Sequence, residues 1–401
     1  MLIQTLKGFR DFLPAEARKR QYVINTLRDV FASYGYDPLE TPTLEYEEIL
    51  TGKYGEEGDK LVYRFEDNGG RKVAMRYDQT VPLSRVVAQY QNELPMPFKR
   101  YQVQPVWRAE NTQRGRFREF LQCDIDAVGT TSPFSDAEIL AIISDSYEAL
   151  GFKDFRIIVN DRSLFTNLPP KAITVIDKLK KIGLDEVKKE LQELNVSPEK
   201  LDSLLSSKIP ENLQTIIDAA KELGVPEKRI VFEPTLARGL DYYTGIIMEV
   251  EVEGYTVGSL GGGGRYDNLI GIFAGRTIPA VGFAFGFDRV VEAMQEQNLF
   301  PEGLITTQVM VTIFSQELLD NSIEVTYKLR ASGINTELYL DPQAKMEKQL
   351  KYADQKGINF VVIIGTDETK NDKVTLKNLR TREQKTLALE EAIKELAKAS
   401  N

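Results

Sequence analysis

The sequence predicts an α+β domain, built on an antiparallel sheet flanked by helices, followed by a C-terminal α/β domain. Three observations predict this division. Strand-like stretches at residues 98–108 and 116–128 flank the polar loop NTQRG (111–115), which is typical of an antiparallel hairpin. Residues from about 164 to 228 are rich in Lys, Glu and Leu and indicate a small helical insertion. Strand and helix patterns alternate after residue 307, as they do in βαβ units.

We place the first domain at residues 1–305 and the second at 307–401, with a linker over 296–308. Apolar residues recur at helical spacing over 14–34, and Gly35 ends that helix. The later elements of the first domain are two short strands around the turn DNGG (67–70), a helix from about Val81, strands at 229–232 and 244–252, a glycine-rich stretch, and a helix near 287–297.

The second domain has a regular pattern of apolar strands and amphipathic helices. Its strands are expected at 309–314, 334–340 and 360–364, and its helices at 316–332, 345–356 and 388–398. Gly333 and Gly357 end the first two of these helices. The pattern predicts a compact α/β domain of βαβ units.

Composition excludes several kinds of catalytic site. The 401 residues include no histidine, so Ser-His and Cys-His nucleophile pairs and HExxH zinc sites are impossible. One cysteine, Cys123, excludes an internal disulfide framework and a cysteine zinc cluster. Enzyme chemistry in this chain therefore depends on carboxylates, arginines, tyrosines, backbone amides, Mg²⁺ or the substrate itself.

Charge and hydropathy indicate a soluble globular protein of the cytoplasm. Hydrophobic residues make up 42% of the chain, but no run is long enough to span a membrane, so no membrane partner is expected. Residues 1–14 lack the apolar region of a signal peptide. The net charge of −9 argues weakly against nonspecific nucleic-acid binding, yet it allows a local basic site for one polyanion.

The predicted hairpin places charged residues along one face of a strand. Alternate residues of a strand share a face; on one face these are Arg116, Arg118, Phe120, Gln122, Asp124 and Asp126. The arginine end suits phosphate, an aromatic ring suits a flat base, and the carboxylate end suits a cation or N–H donors. The alternative is a solvated sheet with weak surface ion pairs.

The sequence RAENTQRGRFREFLQCDID (108–126) resembles motif 2 of class II aminoacyl-tRNA synthetases and, within them, the histidyl-tRNA synthetase family. Other stretches resemble that family's motifs in the expected order. They are KGFRDFLP (7–14), YDPLETPTLE (36–45, motif 1), MRYDQT (75–80), LARGLDYYTG (236–245), GGGGRYDNL (261–269) and GFAFGFDRV (282–290, motif 3). The resemblance implies a class II synthetase fold, a homodimer with Pro42 at its interface, and a C-terminal anticodon-binding domain.

The resemblance also implies how ATP is bound. Arg108, Arg116 and Arg289 match arginines that hold the phosphates, Glu110 matches the acceptor of the adenine amine, and Phe120 matches the ring that stacks on adenine. Each close guanidinium–phosphate contact supplies roughly 4 kcal/mol at an effective dielectric near 20. Asp288 stands where the family usually has Glu, and it is expected to orient the neighbouring Arg289 or to hold Mg²⁺.

For histidine, the resemblance implies three groups of contacts. Asp78 and Thr80 match residues that bind the amino group, and Gln122 matches one that bridges the amino and carboxylate groups. Asp126 and Tyr243 face the imidazole, and Tyr266 closes the pocket. Arg238 matches the family's distinctive catalytic arginine, which with Arg108 acts where charge develops. Tyr242 is expected to face the other way. The glycines at 261–264 let the backbone approach the ligand, and their alternative interpretation is a tight turn.

The implied reaction has two steps. Histidine and ATP·Mg²⁺ give histidyl-adenylate, and the histidyl group then moves to the terminal ribose of tRNA(His), whose acceptor end Gln113 and Arg114 are expected to contact. With no imidazole in the chain, we expect a phosphate oxygen of the adenylate to take the ribose proton. Two alternatives remain: a non-catalytic regulatory subunit of ATP phosphoribosyltransferase with the same fold, and a class II synthetase for another amino acid.

Overall fold

The structure is a computed structural model that describes residues 3–53, 58–238 and 242–398. The chain divides into two units, Met1–Phe300 and Pro301–Asn401. The described strands of the first unit are β1 (Asp37–Pro38), β2 (Leu44–Tyr46), β3 (Arg64–Glu66), β4 (Lys72–Met75), β5 (Phe98–Trp107), β6 (Glu119–Val128), β7 (Phe155–Asp161), β8 (Ile230–Phe232), β9 (Ile246–Val252), β10 (Gly261–Arg265) and β11 (Ala280–Phe285).

A mixed sheet of described strands organises the first unit. Its order is β1-β5-β6-β11-β10-β9-β7-β8, and β2-β4-β3 form a smaller antiparallel sheet. The six strands from β5 to β7 are mutually antiparallel, whereas β1 pairs with β5, and β8 with β7, in parallel. The predicted antiparallel sheet flanked by helices is therefore confirmed, with parallel pairs added at both edges.

Helices cover this sheet and form the insertion. The described α-helices of the first unit are α1 (Pro14–Ser33), α2 (Glu47–Leu50), α3 (Thr80–Gln89), α4 (Pro133–Ala149), α5 (Pro170–Ile176), α6 (Leu179–Ile182), α7 (Leu184–Glu193), α8 (Glu199–Leu205), α9 (Glu211–Glu222), α10 (Gly271–Ala274) and α11 (Phe287–Glu296). Val23, Leu27 and Phe31 recur at helical spacing on α1 and are buried in the main core. The insertion helices α5, α7 and α8 share a second core, whereas apolar residues of α9 belong to the main one.

Two stretches differ from the sequence-based expectation. The hairpin strand β6 begins at Glu119 rather than at 116, because the backbone N–H groups of Arg118 and Glu119 donate to the carbonyl of Gly8. The glycine-rich stretch forms the central strand β10, between β9 and β11, and is not a tight turn. Four successive glycines carry no β propensity, so the pattern alone hides this strand.

The second unit has its own sheet and core. Its described elements are β12 (Val309–Val311), α12 (Leu319–Ala331), β13 (Thr336–Leu338), α13 (Met346–Gln355), β14 (Phe360–Ile363), α14 (Thr366–Lys370), β15 (Val374–Asn378), β16 (Gln384–Leu387) and α15 (Leu389–Lys398). The order β13-β12-β14-β15-β16 combines three parallel strands, as the βαβ pattern predicts, with two antiparallel strands that it does not. The edge strand β16 is mostly polar and exposed, so its sequence is typical of a loop.

Candidate functional site

Two neighbouring cavities open on the same face of the large sheet. The first, the arginine cavity, has a volume of about 350 Å³ and is lined by Arg108, Glu110, Arg116, Phe120, Arg238 and Arg289 with backbone of β10 and β11. The second, the carboxylate cavity, has a volume of about 400 Å³ and is lined by Asp78, Thr80, Gln122, Asp124, Asp126, Tyr242, Tyr243 and Tyr266. Arg108, Arg116 and Arg238 line both cavities. One ligand with an anionic centre could therefore occupy both.

The arginine cavity holds guanidinium groups that are only loosely paired. Arg108 lies over the rings of Tyr77 and Phe120, 4.3 and 5.1 Å from their centroids. Its Nε donates to the carbonyl of Tyr77 at 3.1 Å. Oxygens of Glu110 lie 3.9 Å from Arg108 Nη1 and 3.7 Å from Arg116 Nη1, distances too long for hydrogen bonds. Phosphate oxygens could displace Glu110 from both arginines at little cost.

Arg238 enters the site from a left-handed backbone conformation with a φ of 49°. Its Nη1 lies 3.2 Å from a carboxylate oxygen of Glu249 on β9, and its backbone N–H donates to Asp177 at 3.1 Å. The side chain crosses β10 so closely that a β-carbon on Gly262 would lie 1.2 Å from Nη1. Residues 239–241, the centre of the LARGLDYYTG stretch, lie outside the described residues.

Arg289 and Asp288 do not act as a pair. Nη1 of Arg289 donates to the carbonyl of Ser259 at 2.9 Å. Asp288 instead forms ion pairs with Arg10, at 3.0 Å, and with Arg20. Two guanidiniums of the N-terminal segment thus neutralise the Asp288 carboxylate, and the expectation that Asp288 orients Arg289 or holds Mg²⁺ stays a prediction.

Three carboxylates converge on the carboxylate cavity. Asp78 precedes α3 and accepts from the N–H of Val81 at 3.1 Å, an arrangement that fixes it at the helix start. Asp124 and Asp126 lie two residues apart on β6, and Gln122 Nε2 donates to Asp124 at 2.9 Å. Asp126 fits because its neighbour on β11 is a glycine: a β-carbon on Gly282 would lie 1.9 Å from Asp126 Oδ1.

Tyrosines complete the same cavity. The hydroxyl of Tyr266 donates to Asp126 Oδ1 and fixes that carboxylate. The ring of Tyr242 lies 4.9 Å from that of Tyr243 and 5.9 Å from that of Tyr266, between centroids. Tyr242 therefore lines the cavity, and the expectation that it faces away is wrong. Strand alternation does not apply here, because β9 begins only at Ile246.

Burial perturbs the two β6 carboxylates. Burial raises the pKa of Asp126 to about 6, although the charge of Arg100 and the hydrogen bond from Tyr266 oppose this shift. Burial also raises the pKa of Asp124 well above its usual range, again against the effect of Arg100. Arg100 and Asp124 are functional candidates that motif comparison did not assign. Hairpin register could have found Arg100, since it stands directly opposite Asp126.

The loop that joins β5 and β6 folds back on itself. The backbones of Gln113 and Arg116 exchange two hydrogen bonds, of 2.9 and 3.2 Å. Arg114 is more than half exposed at the loop tip and forms ion pairs with Glu292, at 2.7 Å, and Glu296 of α11. The loop residues Gln113 and Arg114 thus lie beside the arginine cavity and do not line it.

Comparisons with known proteins give a consistent picture. The family model described as histidyl-tRNA synthetase matches residues 8–204 and 162–290, and the anticodon binding domain model matches 308–399. The chain is 38% identical to the histidine–tRNA ligase of Cytophaga hutchinsonii, over 97% of this chain and 98% of that protein. It is 39% identical to the histidine–tRNA ligase of Porphyromonas gingivalis, over 96% and 97%. Histidyl-tRNA synthetase from Nostoc sp. PCC 7120 superimposes with a TM-score of 0.88 at 32% identity, over 100% of both chains.

The described residues contain neither a membrane-spanning helix nor a cluster of metal-binding side chains. Within the described ranges, no helix has both the length and the apolar character needed to cross a bilayer. In the same part of the chain, no group of three or more Cys, Asp or Glu residues could hold a metal ion.

Proposed function

Because this chain belongs to the histidyl-tRNA synthetase family, we propose that the arginine and carboxylate cavities together form its active site. The chain is a ligase: it activates histidine with ATP to histidyl-adenylate and transfers the histidyl group to the 3′ end of tRNA(His). The observation that supports the site proposal is the joint lining of the two cavities by Arg108, Arg116 and Arg238.

ATP is proposed to occupy the arginine cavity. Arg108, Arg116 and Arg289 hold its phosphates, since guanidinium groups match phosphate oxygens in geometry and charge. Phe120 stacks on adenine, and Glu110 accepts a hydrogen bond from the adenine amine once the phosphates have taken its two arginine neighbours. The long Glu110–arginine distances, 3.7 and 3.9 Å, support this exchange of partners.

Histidine is proposed to occupy the carboxylate cavity. Asp78, Thr80 and Gln122 bind its ammonium group, and Asp126 and Tyr243 bind the two ring nitrogens. Tyr266 closes the pocket and orients Asp126 through their hydrogen bond. A carboxylate and a phenol can together serve an imidazole that donates with one nitrogen and accepts with the other.

Arg238 is proposed to act where the two ligands meet. A carboxylate oxygen of histidine attacks the α-phosphorus of ATP, and pyrophosphate leaves. Arg238, held by Glu249, contacts the α-phosphate and the attacking carboxylate, and Arg108 contacts the phosphates, so both stabilise the charge that develops. In the transfer step the terminal ribose hydroxyl attacks the carbonyl carbon and AMP leaves, with an adenylate phosphate oxygen taking the hydroxyl proton.

Mg²⁺ is proposed to accompany ATP. Among the described residues, no group of three or more Cys, Asp or Glu could hold a metal ion, and Asp288 forms ion pairs with Arg10 and Arg20. Mg²⁺ commonly binds through substrate phosphates and water and needs few protein ligands.

The remaining assignments concern tRNA, assembly and location. Gln113 and Arg114 are proposed to contact the tRNA acceptor end, and residues 307–401 the anticodon, with the catalytic domain at 1–305 and its insertion at about 164–228. A homodimer with Pro42 at the interface is proposed, as is a cytoplasmic location. The exposed tip position of Arg114 supports the first assignment.

One assay tests the function and separates it from its alternatives. ATP–pyrophosphate exchange is measured with each amino acid in turn. We expect stimulation by histidine alone. Stimulation by a different amino acid indicates another class II synthetase, and no stimulation indicates a regulatory subunit. The four arginines Arg108, Arg116, Arg238 and Arg289 in one cavity argue against that last outcome.

A further inference from the structure

A guanidinium lies behind the carboxylate cavity, in the interior of the protein. Arg100 on β5 is 0% exposed and does not line either cavity. Its Nη2 lies 2.6 Å from Asp126 Oδ2, and its Nη1 donates to Gln102 Oε1 at 3.2 Å. A buried charge of this kind is costly unless an opposite charge compensates it. Asp126 is the carboxylate in ion-pair contact with it among the described residues.

The register of the sheet fixes this pair. Arg100 stands opposite Asp126 in the β5–β6 hairpin, and Gly282 stands opposite Asp126 on β11. Strand β5 thus places the Arg100 cation beside Asp126, and on β11 the absence of a side chain at Gly282 leaves room for the carboxylate. Tyr266 holds Oδ1 of the same carboxylate from the cavity side. Asp126 is consequently contacted at both oxygens, by the Tyr266 hydroxyl at Oδ1 and by the Arg100 guanidinium at Oδ2, and it lines the carboxylate cavity.

The charged and polar groups around Asp126 have opposing effects on its ionisation. The titratable groups that interact with it are Arg100, Tyr266, Asp78, Asp124, Tyr243 and Tyr36. Of these, Arg100 alone is a cation, and two are carboxylates. Burial and the carboxylate Asp78 both favour the protonated form of Asp126, whereas Arg100 favours the ionised form.

We propose that Arg100 is a positioning residue for histidine recognition, which holds the Asp126 carboxylate charged and oriented toward the imidazole from behind the cavity wall. This inference rests on the proposed function, since it needs histidine in the carboxylate cavity. Arg100 does not touch the substrate. An ionised Asp126 accepts a charge-assisted hydrogen bond from a ring N–H and favours a positively charged ring. A protonated Asp126 is a weaker, neutral acceptor and does not attract a charged ring.

The test replaces Arg100 by neutral residues and follows the pH dependence of histidine use. The KM for histidine is measured by ATP–pyrophosphate exchange for R100M, R100Q and the unaltered enzyme, from about pH 5.5 to about pH 8.5. The ratio of variant to unaltered KM cancels the titration of histidine itself. We expect a ratio of about ten or more near neutral pH, falling as pH rises and Asp126 ionises, with the KM for ATP little changed.

Two further variants separate recognition from stability. R229M removes another buried guanidinium, which pairs with Glu148 at 2.6 Å and lines neither cavity, and it should lower thermal stability with a histidine KM ratio near one. R100K keeps a cation, folds more readily than the neutral variants, and should recover most of the histidine affinity. An R100K enzyme whose histidine KM is raised equally at every pH contradicts the inference.

The outcomes distinguish this inference from the proposed function. If the unaltered enzyme shows no histidine-dependent exchange, the proposed function fails. If it does, and the KM ratio of R100M or R100Q is one, or is raised equally at every pH, Arg100 has only a structural role and the inference is overturned.

Discussion

At the residue scale, Arg238 is fixed by its backbone conformation and by contacts of both its main chain and its side chain. Its left-handed backbone, the hydrogen bond from its N–H to Asp177, and its contact with Glu249 all fix one side chain. A left-handed conformation costs a non-glycine residue roughly 1 kcal/mol or more and persists only where the surroundings enforce it. Such a constraint suits a donor that must already be in place when charge develops on the α-phosphate.

Replacing this arginine should therefore affect rate more than binding. For Arg238→Ala we expect the rate of ATP–pyrophosphate exchange to fall by about a hundredfold or more, because a fixed donor to the developing charge is lost. Histidine affinity, measured by equilibrium dialysis, should fall by much less. Glu249→Gln, which loosens the arginine but keeps it, should give a smaller loss. An unchanged exchange rate in Arg238→Ala would disprove its assigned role.

Gly262 offers a second way to displace the same guanidinium. A β-carbon in Gly262→Ala would coincide with Nη1 of Arg238, so the side chain must leave its position. We expect exchange activity close to that of Arg238→Ala, because both variants remove the guanidinium from its position beside Glu249. Gly69→Ala, in an exposed turn 3.3 Å from the nearest atom, is the control and should keep full activity. Full activity in Gly262→Ala would show that Arg238 functions without the side-chain position it occupies over Gly262.

At the element scale, the N-terminal segment holds the start of α11. Asp288 lies in the first turn of that helix, and Arg10 and Arg20 both pair with it. The guanidinium of Arg10 also lies 3.2 Å from the ring centroid of Phe117, in the loop that joins β5 and β6. The N-terminal segment thus contacts both the β5–β6 loop, which carries Arg116, and helix α11, which carries Arg289.

Neutralising Asp288 should weaken the attachment of the N-terminal segment to the start of α11. In Asp288→Asn two partly buried guanidiniums lose their counter-ion, and we expect the free energy of unfolding to fall by about 2 to 3 kcal/mol. The KM for ATP should rise as well, because Arg289 follows directly in the helix. Urea unfolding and exchange kinetics measure the two effects. Glu186→Gln, which breaks an exposed pair with Lys189, should change stability by less than about 0.5 kcal/mol; equal losses in the two variants would refute this role.

Elements were predictable from the sequence where apolar spacing and turn residues indicate the same structure. The helix α1 and the β5–β6 hairpin were predictable because their apolar spacing and turn residues agree. Strand β10 was not, because glycines give no pattern; it is recognised only from the neighbours that leave no room for side chains. Motif resemblance supplied most of the residues that line the two cavities, whereas Arg100 and Glu249 required register and contacts.

At the scale of the whole molecule, the two units have separate cores. Residues of β12, β14, β15 and α15 form a core within the second unit, and the large sheet and α4 form the main core of the first. All residues that line the two cavities belong to the first unit. Chemistry on small substrates and recognition of the anticodon can therefore be tested separately.

A chain that ends at residue 300 should separate the two activities. We expect it to keep histidine-dependent ATP–pyrophosphate exchange, because the cavities and their supporting core are intact. Its kcat/KM for tRNA charging should fall by about a hundredfold or more, since anticodon contacts are lost. Circular dichroism checks folding. Folded protein that charges tRNA normally would contradict the anticodon assignment of residues 307–401.

The carboxylate cavity is built of Asp126, Tyr243 and Tyr266 in a chain without a single histidine. Every imidazole resonance in a nuclear magnetic resonance spectrum of the complex consequently belongs to the bound amino acid. With ¹⁵N-labelled histidine, the tautomer and charge of the substrate ring can be read without any histidine signal from the enzyme and without substitution of the enzyme.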